Sequence, residues 1–196
     1  MVMTPKILRG TFIDLEPASE KHQEELRAAA HEDPAIFTHY PYDIAGEFDH
    51  YFDLTLNAGE IECAFVVREK QENQIVGTSR YMNISLRDSK LEIGHTWYRP
   101  SAQGTAVNPE AKLLLMTNAF ENLNCVRVEF KTDELNSRSR RAMEKMGAKF
   151  EGILRQHYLV RNGRYRSSAY YSILKDEWPE VKAGLEARVN KFKEAE

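Results

Sequence analysis

A chain of 196 residues, 42% hydrophobic and 29% charged, is long enough to bury one good core and too short for two full domains, so one domain over 1–196 is expected. Its net charge of −3 and pI near 6.1 exclude the global basic field on which non-specific nucleic-acid binding rests, so any attraction for anions must be local. No apolar stretch approaches the ~20 residues of a membrane helix, and "MVMTPKILRGTF" lacks an apolar core of signal-peptide length, which points to the cytoplasm.

In chain order, "ILRGTFIDLEP" alternates apolar and polar residues and predicts a first strand. Ser19 is placed as the cap of a helix running to about His31, "DPAIFTHYP" as a short helical or turn segment, and 45–58 as a polar-aromatic helix. "ECAFVVRE", "QIVGTSRYMNIS" and "KLEIGHTWY" read as an antiparallel meander turning at "KQEN" and "RDSK". A helix over about 109–123 and the strand "CVRVEFKT" give a strand-helix-strand order, which favours a parallel or mixed sheet. "NSRSRRAMEKMG" is a second such helix closed by Gly147, and two final strands flank "RNGR", where Asn162-Gly163 is a strong hairpin signal. The tail from 179 spaces Val181, Leu185, Val189 and Phe192 at helical intervals, an apolar stripe for this subunit or for a partner. The sum is an α/β domain with a central sheet of about seven strands.

Cys63 and Cys125 sit inside apolar strand-like runs and read as core residues; the six histidines lack metal-ligand spacing, so no metal is expected. The stretch "QGTAVNPEA" is more informative. Asn108-Pro109 is a good helix start in its own right, while the small residues Gly104, Thr105, Ala106 and Val107 allow successive N–H groups to point outward as an anion site. The stretch alone leaves both readings open.

From "LEIGHTWYRPSAQGTAVNPEAKLLLMTNAFE" through "VRVEFKTDELNSRSRRAMEKMGAKFEGILR" to the hairpin before "DEWP", the chain resembles the GNAT N-acetyltransferases, and within them the RimJ/RimL-like branch. The resemblance implies a mostly antiparallel mixed sheet splayed between the fourth and fifth strands, with acetyl-CoA as co-substrate. In that family an Arg/Gln-x-x-Gly-x-Gly/Ala loop holds the coenzyme A pyrophosphate on its backbone N–H groups; Gln103 fits the first position, and Ala106 and Asn108 replace the later small residues. Ile93, Gly94, His95 and Thr96 are implied to run along the pantetheine arm, with Gln103 to Asn108 at the pyrophosphate.

Acyl transfer to an amine requires a base for the amine proton, stabilisation of the tetrahedral oxyanion and a proton for the leaving thiolate. Glu92, on the strand before the loop, is where the family commonly places a carboxylate facing the acceptor. His95 is the alternative base; simple alternation turns it to the opposite face, unless a bulge near Gly94 rephases the strand. The tyrosine that many family members place seven residues after the helix-opening asparagine is Met143 here, counted from Asn136. The branch's Asn-x-x-Ser matches "NSRS" instead, which makes Ser139 the group for the thiolate and Asn136 a holder of the pantetheine amide. Arg138, Arg140, Arg141 and Lys145 form a solvated face from which one or two side chains reach the adenosine phosphates.

Phe37, Tyr40, Arg80 and Tyr81, with His39, His157 and Tyr165, are expected around the acceptor; Arg80 pairs with a substrate carboxylate or, better, with an internal acid such as Glu92. The reading is an N-acetyltransferase for a small amine, an amino acid or a peptide N-terminus, with slight overall acidity favouring cationic acceptors. A non-catalytic acyl-CoA sensor or interaction domain is the alternative. Neither nucleic acid nor membrane is an expected partner, and a homodimer is.

Overall fold

The computed structural model describes residues 5–160 and 163–194. The first predicted strand breaks in two, β1 (Leu8–Arg9) and β2 (Ile13–Pro17), so that the described sheet has eight strands rather than seven. The break has a cause far away in sequence. The carboxylate of Glu110 accepts the N–H groups of Thr11, Phe12 and Ile13 at 2.6, 2.7 and 2.9 Å, folding the chain back on itself.

Ser19 opens a 3-10 turn that leads into α1 (Gln23–His31), and Asp33 caps a second 3-10 turn before α2 (Phe48–Leu56). The meander β3 (Cys63–Glu69), β4 (Gln74–Ser85) and β5 (Lys90–Tyr98) is antiparallel as expected. Then follow α3 (Val107–Thr117), closed by a π-helical turn over Asn118–Asn122, β6 (Arg127–Asp133), α4 (Ser137–Met146), β7 (Lys149–Leu159), β8 (Tyr165–Leu174) and α5 (Trp178–Lys193). The sheet order is β1-β2-β3-β4-β5-β6-β8-β7, with β5 and β6 as its parallel pair. Gly147 ends α4 at φ 100°, the left-handed cap that its sequence position predicts. Asn162 lies outside the described residues, but β7 and β8 pair as a hairpin up to Leu159 and Tyr165.

The sheet divides two cores. Leu91, Ile93 and Phe130 pack towards Ala111 and Leu115 of α3 and Leu185 of α5, whereas Val66, Ile75 and Trp97 pack towards Leu26 of α1 and Phe52 of α2. The tail belongs to the first core: Val181, Leu185 and Val189 are buried, and Trp178 stacks on Phe120 at 5.3 Å. Its apolar stripe is therefore spent on this subunit and leaves the expected homodimer without that support. Cys63 and Cys125 are buried free thiols, and burial pushes each up to about 11.

Candidate active site

Two ladders set the site. β5 and β6 pair at Lys90, Leu91 and Glu92 and no further, although β5 runs on to Tyr98 and β6 to Asp133. Backbone groups beyond Glu92 on that side of β5 thus have no strand partner, the splay that the sequence comparison implied between its fourth and fifth strands. On the other side of β5 the register moves from Arg80↔Gly94 to Thr78↔Trp97, so three steps on β5 face two on β4. The extra residue is His95, at φ 47°, where a bulge turns two successive side chains to one face.

Glu92 and His95 therefore share the α1–α2 side. The ring of His95 meets the hydroxyl of Tyr42 at 2.8 Å through Nδ1, while Thr96 turns to the α3 side and its Oγ1 accepts a hydrogen bond from Lys112 Nζ at 2.8 Å. Glu92 is 2% exposed. Its Oε2 accepts Asn83 Nδ2 at 2.9 Å and lies 3.3 Å from Lys131 Nζ, while a Cβ on Gly94 would stand 3.2 Å from Oε1 and 2.8 Å from Met82 Sδ. The glycine keeps the space beside the second carboxylate oxygen clear.

A cavity of about 540 Å³ runs from this face to the ends of α3 and α4. At α3, Ala106 and Asn108, which replace small residues of the family loop, adopt backbone conformations open to any side chain. Gly104 has φ 79°, which favours glycine, and the chain supplies it there. Ala106 has φ −62°, which any residue adopts. The helix begins at Val107, so Asn108 and Pro109 lie inside its first turn and Asn108 is not the cap that its sequence position suggested. The Val107 N–H is taken by Thr105 Oγ1 at 3.3 Å, whereas those of Gly104, Thr105, Ala106 and Asn108 donate to no described residue. Together they form an N-terminal end suited to an anion. At α4, Asn136 is the N-cap, its Oδ1 accepting Ser139 N–H at 2.9 Å, and both side chains line the cavity. Arg138 reaches back to Gln103 Oε1 at 2.7 Å, which ties the two helix ends together.

Of the residues expected on this site, Glu92, Ile93, Gly94, His95, Thr96, Gln103, Gly104, Asn108, Asn136 and Ser139 converge on the cavity, and Tyr40 and His39 line it too. Thr105, Ala106 and Val107 do not line it. Phe37, Arg80 and Tyr81 do not line it. Phe37 fills the second core, and Tyr81 donates its hydroxyl to the Leu115 carbonyl at 2.6 Å. Arg80 makes an internal pair, as favoured, but with Glu62 at 3.0 Å rather than with Glu92. His157 and Tyr165 stand outside the cavity wall, and Arg140 turns to the Tyr171 hydroxyl.

Lys112, Lys131, Tyr158, Arg166 and Arg188 line the cavity without having been singled out from the sequence. For Lys112 a signal existed: it shares helical spacing with the buried Pro109 and Met116, so the stripe reads as apolar with one amine in it. Burial lowers that amine to about 7. Burial also lowers His95 to about 3, aided by Arg80, Lys131 and Arg166, so its imidazole is neutral and holds a proton poorly.

A mixed sheet whose parallel pair parts beside an open helix end, with amides, a carboxylate and a capping asparagine facing one cavity, is the architecture of a GNAT-type fold. The sequence pattern of the Acetyltransferase (GNAT) domain matches residues 13–149, and the chain belongs to that family. It is 33% identical over 107 residues to the "Putative ribosomal N-acetyltransferase YdaF" of Bacillus subtilis, an alignment covering 55% of this chain and 57% of that one, little more than half of the relative's length. Among solved structures it is similar to a GCN5-related N-acetyltransferase from Brucella melitensis (TM-score 0.89, 31% identity, 96% of this chain and 87% of that one). It also shares its fold with Mycobacterium smegmatis RimJ in complex with CoA-disulfide (TM-score 0.78, 17% identity, 94% and 92% covered).

Proposed function

We propose that the protein is an acetyl-CoA-dependent N-acetyltransferase in which a primary amine attacks the thioester directly. The observation that carries this reading is the convergence, on one cavity, of the unpaired β5 backbone past Glu92 with the open end of α3 and the Asn136–Ser139 turn. Coenzyme A phosphates would take the N–H groups of Gly104, Thr105, Ala106 and Asn108 with Arg138 beside them, and pantetheine would lie along Ile93 to Thr96. Amides there would receive the developing oxyanion.

The amine nitrogen bonds to the acetyl carbon and the carbonyl electron pair moves onto oxygen; as this tetrahedral oxyanion collapses, the carbonyl reforms and the carbon–sulfur bond breaks, releasing the thiolate. The amine's proton passes to Glu92, directly or through one water, and the thiolate takes a proton from Ser139 or solvent. Between the two bases, the chemistry favours Glu92, because a histidine that resists protonation is a poor proton acceptor. Both cysteines lie in the sheet's cores rather than on the cavity, which favours direct attack over a thiol relay. The printed name of the Bacillus subtilis relative, a ribosomal N-acetyltransferase, supports a peptide or protein amine as acceptor, and small amines and amino acids are the other acceptors of this reading. A cytoplasmic setting belongs to the same reading; among the described residues no helix is long and apolar enough to cross a membrane.

The test is calorimetric titration with coenzyme A and acetyl-CoA, then thiol release in the presence of an amine panel. Binding is expected in the micromolar range and weakened by Asn136→Ala, and Glu92→Gln should lower kcat by about 10²- to 10⁴-fold while leaving acetyl-CoA affinity near that of the wild type. Binding without turnover of any amine would instead make this an acyl-CoA sensor.

A further inference from the structure

The charge of the cavity is opposite to that of the chain. Among the described residues, Lys112, Lys131, Arg138, Arg166 and Arg188 line it, against Glu92 as its carboxylate, although the whole chain carries −3. These basic side chains divide by position. Arg138 lies at the helix ends, where phosphates are expected, and Lys131 is committed to Glu92. Arg166 is neither.

It stands on β8 directly across from Tyr158 of β7, 8% exposed. Its Nε donates to Ser168 Oγ at 3.3 Å, and its Cζ lies 5.6 Å from the centre of the Tyr158 ring, the same ring that Lys131 Nζ approaches to 5.2 Å. No carboxylate of the described residues is within ion-pair distance of it. The two nearby acids are engaged: Asp133 with Arg164 and the Leu135 N–H, Glu92 with Lys131 and Asn83. A buried guanidinium without a counter-anion is costly, and its planar fork matches a carboxylate in two hydrogen bonds. Since Lys131 joins Glu92 to the same tyrosine, one wall of the cavity carries, in order, a proton acceptor, a cation, an aromatic ring and an unpaired guanidinium.

We propose that Arg166 receives a carboxylate carried by the acceptor, whose amine lies at Glu92. This rests on the acetyltransferase reading and narrows it: the acceptor is an amine with an acidic group a short chain away, and polycationic amines are disfavoured by Lys131 and Arg166. The net acidity of the chain, which suggested cationic acceptors, does not describe the site. Two sources present the required chemistry, a free amino acid and a peptide with an acidic residue beside its amino end.

The test uses the full chain with acetyl-CoA and acceptors in matched pairs: amino acids against their amides, and dipeptide amides with Glu against those with Gln at the second position. The acidic member of at least one pair should be preferred in kcat/KM by about tenfold or more, and the pair that responds identifies the source. In Arg166→Gln the preference should fall to within about threefold, chiefly through KM, which a merely structural role would not produce because it lowers both members alike. Should that variant fail to fold, Arg166→Lys, which keeps the charge and loses the fork, should reduce the preference in part. Equal use of acid and amide by the wild type, or a preference that survives in both variants, overturns the inference alone. Transfer to no amine at all overturns the acetyltransferase reading and this one with it.

Discussion

At the end of the β5 ladder, Glu92 and His95 share one face, and they differ in how their surroundings treat charge. Glu92 is held against Lys131, so its carboxylate is compensated. His95 is crowded by burial and by Arg80, Lys131 and Arg166, which lowers it from 6.5 to about 3. Between those values the unfolded chain binds a proton that the native state refuses, so this group's contribution to stability is complete above 6.5 and is lost as the pH falls from there towards 3. His95→Asn removes that titration and keeps a residue that tolerates φ 47°. Urea melts at pH 7, 5.5 and 4.5 should show stability falling less steeply in the variant than in the wild type; parallel curves would mean that His95 takes up its proton as readily in the folded protein as in the unfolded chain. The facing of these two residues was only half legible in the sequence, since alternation separates them and the bulge at His95 reunites them. Arg166 and Tyr158 were not legible at all, because what matters about each is a partner on a neighbouring strand and an acid that is missing nearby. Asn136 and Ser139 were reached through the resemblance to the Asn-x-x-Ser pattern, and the capping contact between them is one that local helix geometry supplies.

Elements that depend on short-range chemistry follow the sequence closely: the meander, the α4 cap at Gly147 and the last hairpin. The exceptions are set by long-range contacts. Nothing in "ILRGTFIDLEP" says that it must fold back at Thr11, because the group that bends it is Glu110 on α3. The same contact ties the edge of the sheet to the helix whose first turn faces the cavity, and Gly10 makes room for it, since a Cβ there would stand 2.6 Å from Glu110 Cδ. Glu110→Gln halves the oxygens available to three N–H donors and turns an amide donor towards them. A loss of about 2–3 kcal/mol is expected in urea unfolding with the m-value unchanged, and Glu110→Leu should cost at least as much. A change below about 0.5 kcal/mol in both would mean that the β1–β2 turn closes without this clamp.

Taken as a whole, the molecule segregates its charge: 30 acidic against 27 basic side chains over the chain, yet five basic side chains, Lys112 with its lowered amine among them, and one carboxylate around the cavity among the described residues. Field lines in a low-dielectric cleft are focused, so a polyanion approaching the mouth should meet attraction although the protein as a body repels it. This makes salt a sharper probe than pH. Screening lengths shrink from above ~10 Å at 50 mM to a few ångströms at 500 mM, which weakens the pull of the exposed Arg138 more than that of buried groups. Coenzyme A affinity should therefore fall by about tenfold across that range, whereas a short thioester lacking phosphates, such as N-acetylcysteamine acetate, should show no comparable loss. Arg138→Gln should flatten the slope for coenzyme A without changing that for the short thioester. If coenzyme A binds equally well at both salt concentrations, recognition rests on the backbone N–H groups of Gly104, Thr105, Ala106 and Asn108 alone, and the basic side chains around the cavity serve the acceptor rather than the donor.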